Sequence, residues 1–281
     1  MCKVRLLLST LFIISIVLSS RVYSEEDLLR VEMDAVGLYN PMGLSFSASA
    51  YYRDNYEIND SILWNQLYWQ TGGQIAANPA YQRAGVHFEW VPITVLQARI
   101  QYDRYYFSGD YGTLLTFNNT DGPFGDDEIK AREGEEQSGY GDRYLSSITL
   151  RAKLGNVVIR NVSQLSKYEF PGLGPYYLER EYELLMAQTD YLFSNQFYLL
   201  FESQNNKGRK RFFGPYYDYV RVRETRLERE RLGVTFYQEN SSAWGFLNST
   251  RWYVQGGVYL TERNRQDEAY LVVGFGGDYD F

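Results

Sequence analysis

With one histidine and one cysteine in 281 residues, this chain has few ways to do chemistry. His87 is the only imidazole, so a general base or a Ser–His nucleophile would have to be built around it. No G-x-S-x-G stretch accompanies it. A single His without a second Cys leaves a transition-metal site short of ligands, and no cofactor is expected. Asn119, Asp121, Gly122 and Glu128 match positions 3, 5, 6 and 12 of a calcium-loop pattern. Phe117 stands at position 1, where an oxygen ligand belongs, so weak divalent binding is the most this segment offers. The denser pattern is charge on alternate residues. Arg83, His87 and Glu89 share parity, as do Arg99, Gln101 and Asp103, then Arg151 and Lys153, then Arg221, Arg223, Arg229 and Arg231. Alternate residues of a β-strand share a face, so each set would line one side of one strand.

The intervening residues show what kind of strand this is. Ala84, Val86, Phe88 and Trp90 interleave with the first set, Leu96, Ala98, Ile100 and Tyr102 with the second, and Ile148, Leu150 and Ala152 with the third. Stretches of about ten residues, apolar on one side and charged on the other, can cross a bilayer if they close into a barrel. Facing lipid, each charge would cost about 2–4 kcal/mol at the midplane. The charged faces therefore belong inside, lining a wet pore or pairing across a closed interior. His87 falls on that inner face.

Periodicity predicts strands at 30–39, 43–53, 61–71, 82–90, 94–107, 143–153, 157–168, 179–191, 196–205, 219–238, 250–261 and 268–281. Short turns at Val91-Pro92-Ile93, Leu154-Gly155-Asn156 and Leu192–Asn195 fall at one end. Longer segments at 72–81, 108–142, 169–178 and 206–218 fall at the other, as a membrane barrel requires. The expected fold is all-β, a transmembrane antiparallel up-and-down barrel of twelve strands. Ten or fourteen stay open, because 61–71 and 179–191 show no clear faces. Segment 108–142 is the longest loop, rich in acids and glycine, and is expected to lie exposed outside.

The two ends of the chain point the same way. At the start, Lys3 and Arg5 precede an apolar run from Leu6 to Leu18, with Ser24 before Glu25. This predicts a cleaved secretory signal over 1–24 and a single barrel domain over 25–281. Cys2 lies inside the signal, so the mature chain has no thiol. It keeps 25 basic against 35 acidic residues, a net charge of −10, which argues against nucleic acid and anionic headgroups as general partners. Aromatics make up 17% of the chain while mean hydropathy stays at −0.42, as aromatic girdles around a polar lumen would give. At the far end, Phe275, Tyr279 and Phe281 are in phase on an apolar strand face. This ending resembles the signal read by the bacterial outer-membrane assembly machinery.

The chain thus resembles the Gram-negative outer-membrane β-barrel superfamily, porin-like members included. The resemblance implies an outer-membrane location. The partners it implies are outer-membrane lipids and lipopolysaccharide, the barrel assembly machinery and small solutes. The reading favoured by the lumen charges is a narrow diffusion channel or transport-associated pore. Arg221, Arg223, Arg229 and Arg231 would form a basic track that favours small anions. Two other classes stay open: a lipid-directed hydrolase around His87, and a structural or adhesive barrel with a closed lumen.

Overall fold

The computed structural model describes residues 27–55, 67–170, 174–204, 209–240 and 247–280. The proposed signal at 1–24 and Phe281 lie outside the described residues. In chain order the elements begin with β1 (Asp27–Tyr39), β2 (Gly43–Asn55), β3 (Tyr68–Ala77), β4 (Tyr81–Ile93) and β5 (Leu96–Ser108). Next come β6 (Thr116–Phe117), the short helix α1 (Asp126–Ala131), β7 (Ser138–Leu154), β8 (Val157–Glu169), β9 (Tyr176–Glu179) and β10 (Leu184–Ala187). The last are β11 (Thr189–Gln204), β12 (Lys210–Val222), β13 (Glu228–Asn240), β14 (Ser249–Thr261) and β15 (Ala269–Asp280).

All but β6, β9 and β10 pair antiparallel with their neighbours in a closed barrel of twelve strands, which β1 and β15 seal. Closure leaves no unpaired edge, the condition for crossing hydrocarbon with strands. Pleat alternation then sorts the side chains. Val86, Phe88, Trp90, Ile100, Ile148, Leu150, Phe193, Phe197, Val234, Val273 and Phe275 point out and are exposed, forming an apolar belt around the wall. Arg83, His87, Glu89, Asp103 and Arg143 point in. A register slip of one residue would exchange the two sets, so the belt itself fixes the pairing. The two-residue turn between β7 and β8 sits where expected, with Gly155 at φ +59°.

Five expectations are corrected. The wall strand β3 runs Tyr68–Ala77, so Gly72–Ala77 belong to the wall and not to a loop, while 61–66 of the predicted strand 61–71 lie outside the described residues. Pro92 lies within β4, at the register shift between Trp90 and Ile93, and the turn follows at Thr94 and Val95. The third is larger. Leu192–Asn195 form no turn; they run through the middle of β11, which replaces the end of one predicted strand and the whole of the next. Of the segment 206–218, residues 210–218 are strand, not loop, because β12 accommodates Gly214 and Pro215, and 206–208 lie outside the described residues. The β11 ladder is interrupted opposite them, between Tyr198↔Tyr216 and Phe201↔Phe213. A Cβ on Gly214 would lie 2.0 Å from the Leu199 carbonyl oxygen. The predicted single strand 219–238 is the end of β12, a turn at 223–227, and β13. One strand was over-split and another under-split, so the total is still twelve.

At one end of the barrel, β5 and β7, and β8 and β11, are joined by segments that fold back into it. β6, β9 and β10 form a small sheet, with the Leu178 amide donating to the Leu115 carbonyl at 3.0 Å. Leu114, Tyr177, Leu184 and Met186 pack against inward-facing Tyr81, Tyr105, Phe107, Tyr168, Leu192, Val220 and Val222. Leu115, Phe117, Phe124, Leu178 and Leu185 form a second apolar layer. Full burial of such side chains stabilises by about 1.5–3 kcal/mol each. Gly141 on β7 makes room for this fold-back, since a Cβ there would lie 1.9 Å from the Phe170 ring. On the opposite wall Tyr216, Tyr259, Tyr270 and Val272 pack with Val36 and Leu38. The barrel is therefore plugged at this end. The segment 108–142 contributes Thr113, Leu114, Leu115 and Phe124 to the plug, fully or almost fully buried, while its acids and α1 stay at the surface.

Candidate functional site

The plug is tied to the wall by charge. Arg143 on β7 donates Nε and Nη2 to Asp103 Oδ2 on β5, at 3.0 and 2.7 Å, and both residues are buried. Its Nη1 reaches Glu181 Oε2, in the turn between β9 and β10, at 3.2 Å. The same oxygen accepts from Tyr105 Oη at 3.1 Å and from Arg83 Nη1 at 3.5 Å. Asp103 is further held by the side-chain amides of Gln74 and Gln101, at 2.8 and 2.7 Å. One plug carboxylate thus meets two wall arginines and a tyrosine hydroxyl.

Glu181 has acids two residues away on either side. Glu179 is almost completely buried. Its Oε2 accepts the Tyr182 amide at 2.7 Å, while its Oε1 has no hydrogen-bond partner. Burial, and then the neighbouring Glu181, push the Glu179 carboxyl up to about 7. Burial works against the Glu181 carboxylate too, but Arg143 and Arg83 outweigh it and hold it below the usual range. Glu183 sits in a left-handed conformation at φ +55° and pairs with Arg180 at 3.0 Å and with Arg265. Burial raises its carboxyl despite those two cations. Arg265, from the loop between β14 and β15, also reaches Asp126 Oδ1 at 2.8 Å and Asn40 Oδ1 at 2.9 Å. That loop latches the plug from above.

Below the plug the lumen is polar and its charges are largely matched. Arg99 meets Glu89 at 3.6 Å, and Tyr68 Oη donates to the same carboxylate at 2.8 Å. Arg251 meets Asp34 at 2.9 Å, Lys153 meets Glu202 at 2.6 Å, and Tyr51 Oη donates to Glu32 at 2.6 Å. Arg229 and Arg231 face inward and both bind Asp218 Oδ2, at 3.2 and 2.7 Å. Arg221 and Arg223 are a correction: they stay exposed at the rim, while Val220 and Val222 point in. The four arginines do not share a face because the turn at 223–227 breaks the parity that a continuous strand would have carried. No basic track lines the lumen here.

The remaining sequence-predicted residues fall as follows. Arg83, His87, Glu89, Arg99, Asp103, Arg151 and Lys153 all lie on inward-facing positions. Both ring nitrogens of His87 are buried without a hydrogen-bond partner; its neighbour is the edge of Tyr51, at 6.2 Å between centroids. Among the described residues no serine or carboxylate hydrogen-bonds to it. Asn119 Oδ1 accepts the amides of Asp121 and Gly122, at 3.2 and 3.1 Å, so it closes its own turn. Glu128 belongs to α1 and Phe117 packs on Phe124. Among the described residues no group of three His, Cys, Asp or Glu side chains is placed to hold a metal ion. Phe275 faces out on β15. Sequence reading missed Arg143, although its parity with Arg151 would have placed it inside. It missed Glu181 because 179–191 looked like a strand of ambiguous faces.

The closed wall of twelve antiparallel strands, apolar outside and polar within, is that of a transmembrane β-barrel. No family model and no curated protein matches the chain. Among solved structures it is similar to the β-domain of the Bordetella autotransporter BrkA, with TM-score 0.43 and 13% identity over 91% of this chain and 99% of that one. It is similar to LpxR from Salmonella typhimurium, with TM-score 0.39 and 8% identity over 88% and 99%. It also resembles the Pseudomonas putida toluene transporter TodX, with TM-score 0.29 and 8% identity over 92% and 90%. At these identities the comparisons carry no residue-level correspondence.

Proposed function

We propose that this protein is a gated transport barrel of the bacterial outer membrane. The supporting observation is a polar lumen capped by a plug that several buried ion pairs hold in place. Apolar packing alone would close a barrel permanently and more simply. The plug instead brings Glu181 against Arg143 and Arg83 of the wall and Glu183 against Arg265 of the β14–β15 loop, with Glu179 buried beside them, groups that water would stabilise on release. Displacing the plug re-solvates them, which lowers the cost of opening relative to an all-apolar closure. In this reading the plugged end faces outside, and the apolar belt with its aromatics sits in lipid. His87 and the exposed acids of 108–142 take no part in chemistry.

Planar-bilayer recording tests this. The full-length barrel is expected to be closed most of the time, with brief openings. Replacing both plug segments, 110–136 and 174–187, by short Gly–Ser linkers is expected to give a steady ionic current from a barrel that still migrates as folded on unboiled gels. A folded, plug-deleted barrel that carries no current would overturn the gate. It would favour the second reading, a structural barrel, for which the closed mouth is the observation.

A further inference from the structure

Most lumen arginines are neutralised in place. Arg83, Arg99, Arg143, Arg229, Arg231 and Arg251 each meet a carboxylate. Arg151 and Arg160 differ. They are directly opposite each other on β7 and β8, facing inward toward the end away from the plug. Opposed residues in such a pair have Cβ atoms about 5 Å apart, and like charges there repel. Arg151 donates Nε to the Thr94 carbonyl at 2.8 Å, and its Nη2 is buried without a partner. Arg160 is exposed to the lumen, its guanidinium 5.9 Å from the centroid of the Tyr198 ring. Neither makes an ion pair among the described residues. The carboxylates on nearby strands are engaged: Glu202 by Lys153 at 2.6 Å, Glu89 by Arg99 and Tyr68.

We propose that Arg151 and Arg160 form an anion-binding subsite on the lumen wall, taking the carboxylate or phosphate group of a small solute. A bound anion would offset the repulsion between the two cations and satisfy the orphaned Nη2 donor. Two guanidinium forks side by side suit the planar carboxylate and the tetrahedral phosphate alike. Tyr198 stacks on Tyr216 and its hydroxyl lies 3.5 Å from the Gln255 amide nitrogen, so a flat aromatic face and further polar groups adjoin the cations. That the anion is cargo rests on the gated-transport reading; the site itself does not. The site anchors the anionic end of a solute toward the end of the barrel away from the plug.

The test is isothermal titration of the full-length barrel in micelles at low salt, with inorganic phosphate and, separately, with succinate. Binding of at least one probe is expected, weakened at least tenfold in Arg160→Gln and in Arg151→Gln. Arg104→Gln, an outward-facing guanidinium, should leave it unchanged. Binding of phosphate alone, or of succinate alone, supports the site and names its class. Equal binding by wild type and Arg160→Gln, or no binding of either probe, overturns it. A barrel that never conducts but binds phosphate through these residues would overturn the gate and leave the subsite standing.

Discussion

Replacing Arg143 with Ala should raise the open probability of the barrel by about a hundredfold. Arg143 is nearly inaccessible, at 3% exposure, and it is shared between the wall carboxylate Asp103 and the plug carboxylate Glu181. Removing one partner of a buried pair leaves the other uncompensated, at a cost of about 3–5 kcal/mol. In Arg143→Ala two carboxylates are left facing each other, with Arg83 as the remaining cation near Glu181. The strain is relieved if the plug leaves, because Glu181 then reaches water. A shift of about 3 kcal/mol in the closed–open equilibrium is about a hundredfold. The matched control is Arg104→Ala. Arg104 pairs with Asp142 at 2.8 Å on the outer face with its side chain 54% exposed, where such a pair contributes at most about 1 kcal/mol. Recordings on both, with folding checked on unboiled gels, separate plug release from a general loosening. Equal currents from Arg143→Ala and Arg104→Ala would remove the latch from the account.

The second large effect is on pH. Burial and then the neighbouring Glu181 raise the Glu179 carboxyl in the closed state, and it returns toward its ordinary value once the plug leaves and the carboxyl meets water. The closed state therefore binds the proton more tightly than the open one. Its stabilisation is complete below about pH 4.5, declines as pH rises toward 7, and is level above that. Glu181, Arg143 and the Tyr182 amide surround this carboxyl, and Arg143 keeps Glu181 ionised across the same window. Open probability is expected to rise steeply from pH 5 to pH 8 in the wild type. Glu179→Gln, neutral at every pH, is expected to stay closed and to flatten that profile. A pH response that survives Glu179→Gln would place the titrating group elsewhere.

The wall was legible in the sequence because a membrane barrel writes its faces into parity. Val86, Phe88 and Trp90 against His87 and Glu89 admit one reading, and the structure has it. Legibility failed where polar residues sit inside a strand. Ser194 and Asn195 look like a turn, yet β11 runs through them, its outward Asn195 hydrogen-bonded to Asn161 and Ser163 on β8. Gly214 and Pro215 look like a loop, yet they occupy a break in one ladder of β12. Parity also stops at a turn, which is why Arg221 and Arg229 separate to opposite faces. The plug was the least legible part. Its apolar residues, Leu114, Leu115, Phe117, Leu178 and Leu184–Met186, lie in short runs without period, and only the tertiary fold brings them together. Arg143 could be placed inside by parity, but its partner Glu181 comes from a turn 38 residues away.

Hydrogen exchange on the intact barrel tests most directly whether the plug is a separable gate. Amides of β6, β9 and β10 are bonded to one another, and the plug joins the wall through side chains and a few backbone contacts. If the plug opens as a unit, those amides should exchange together, faster than β5 and β7 amides and faster still at pH 8 than the intrinsic pH effect requires. If they exchange only as slowly as the β5 and β7 amides at every pH, the plug is a fixed part of the wall and the gate does not exist.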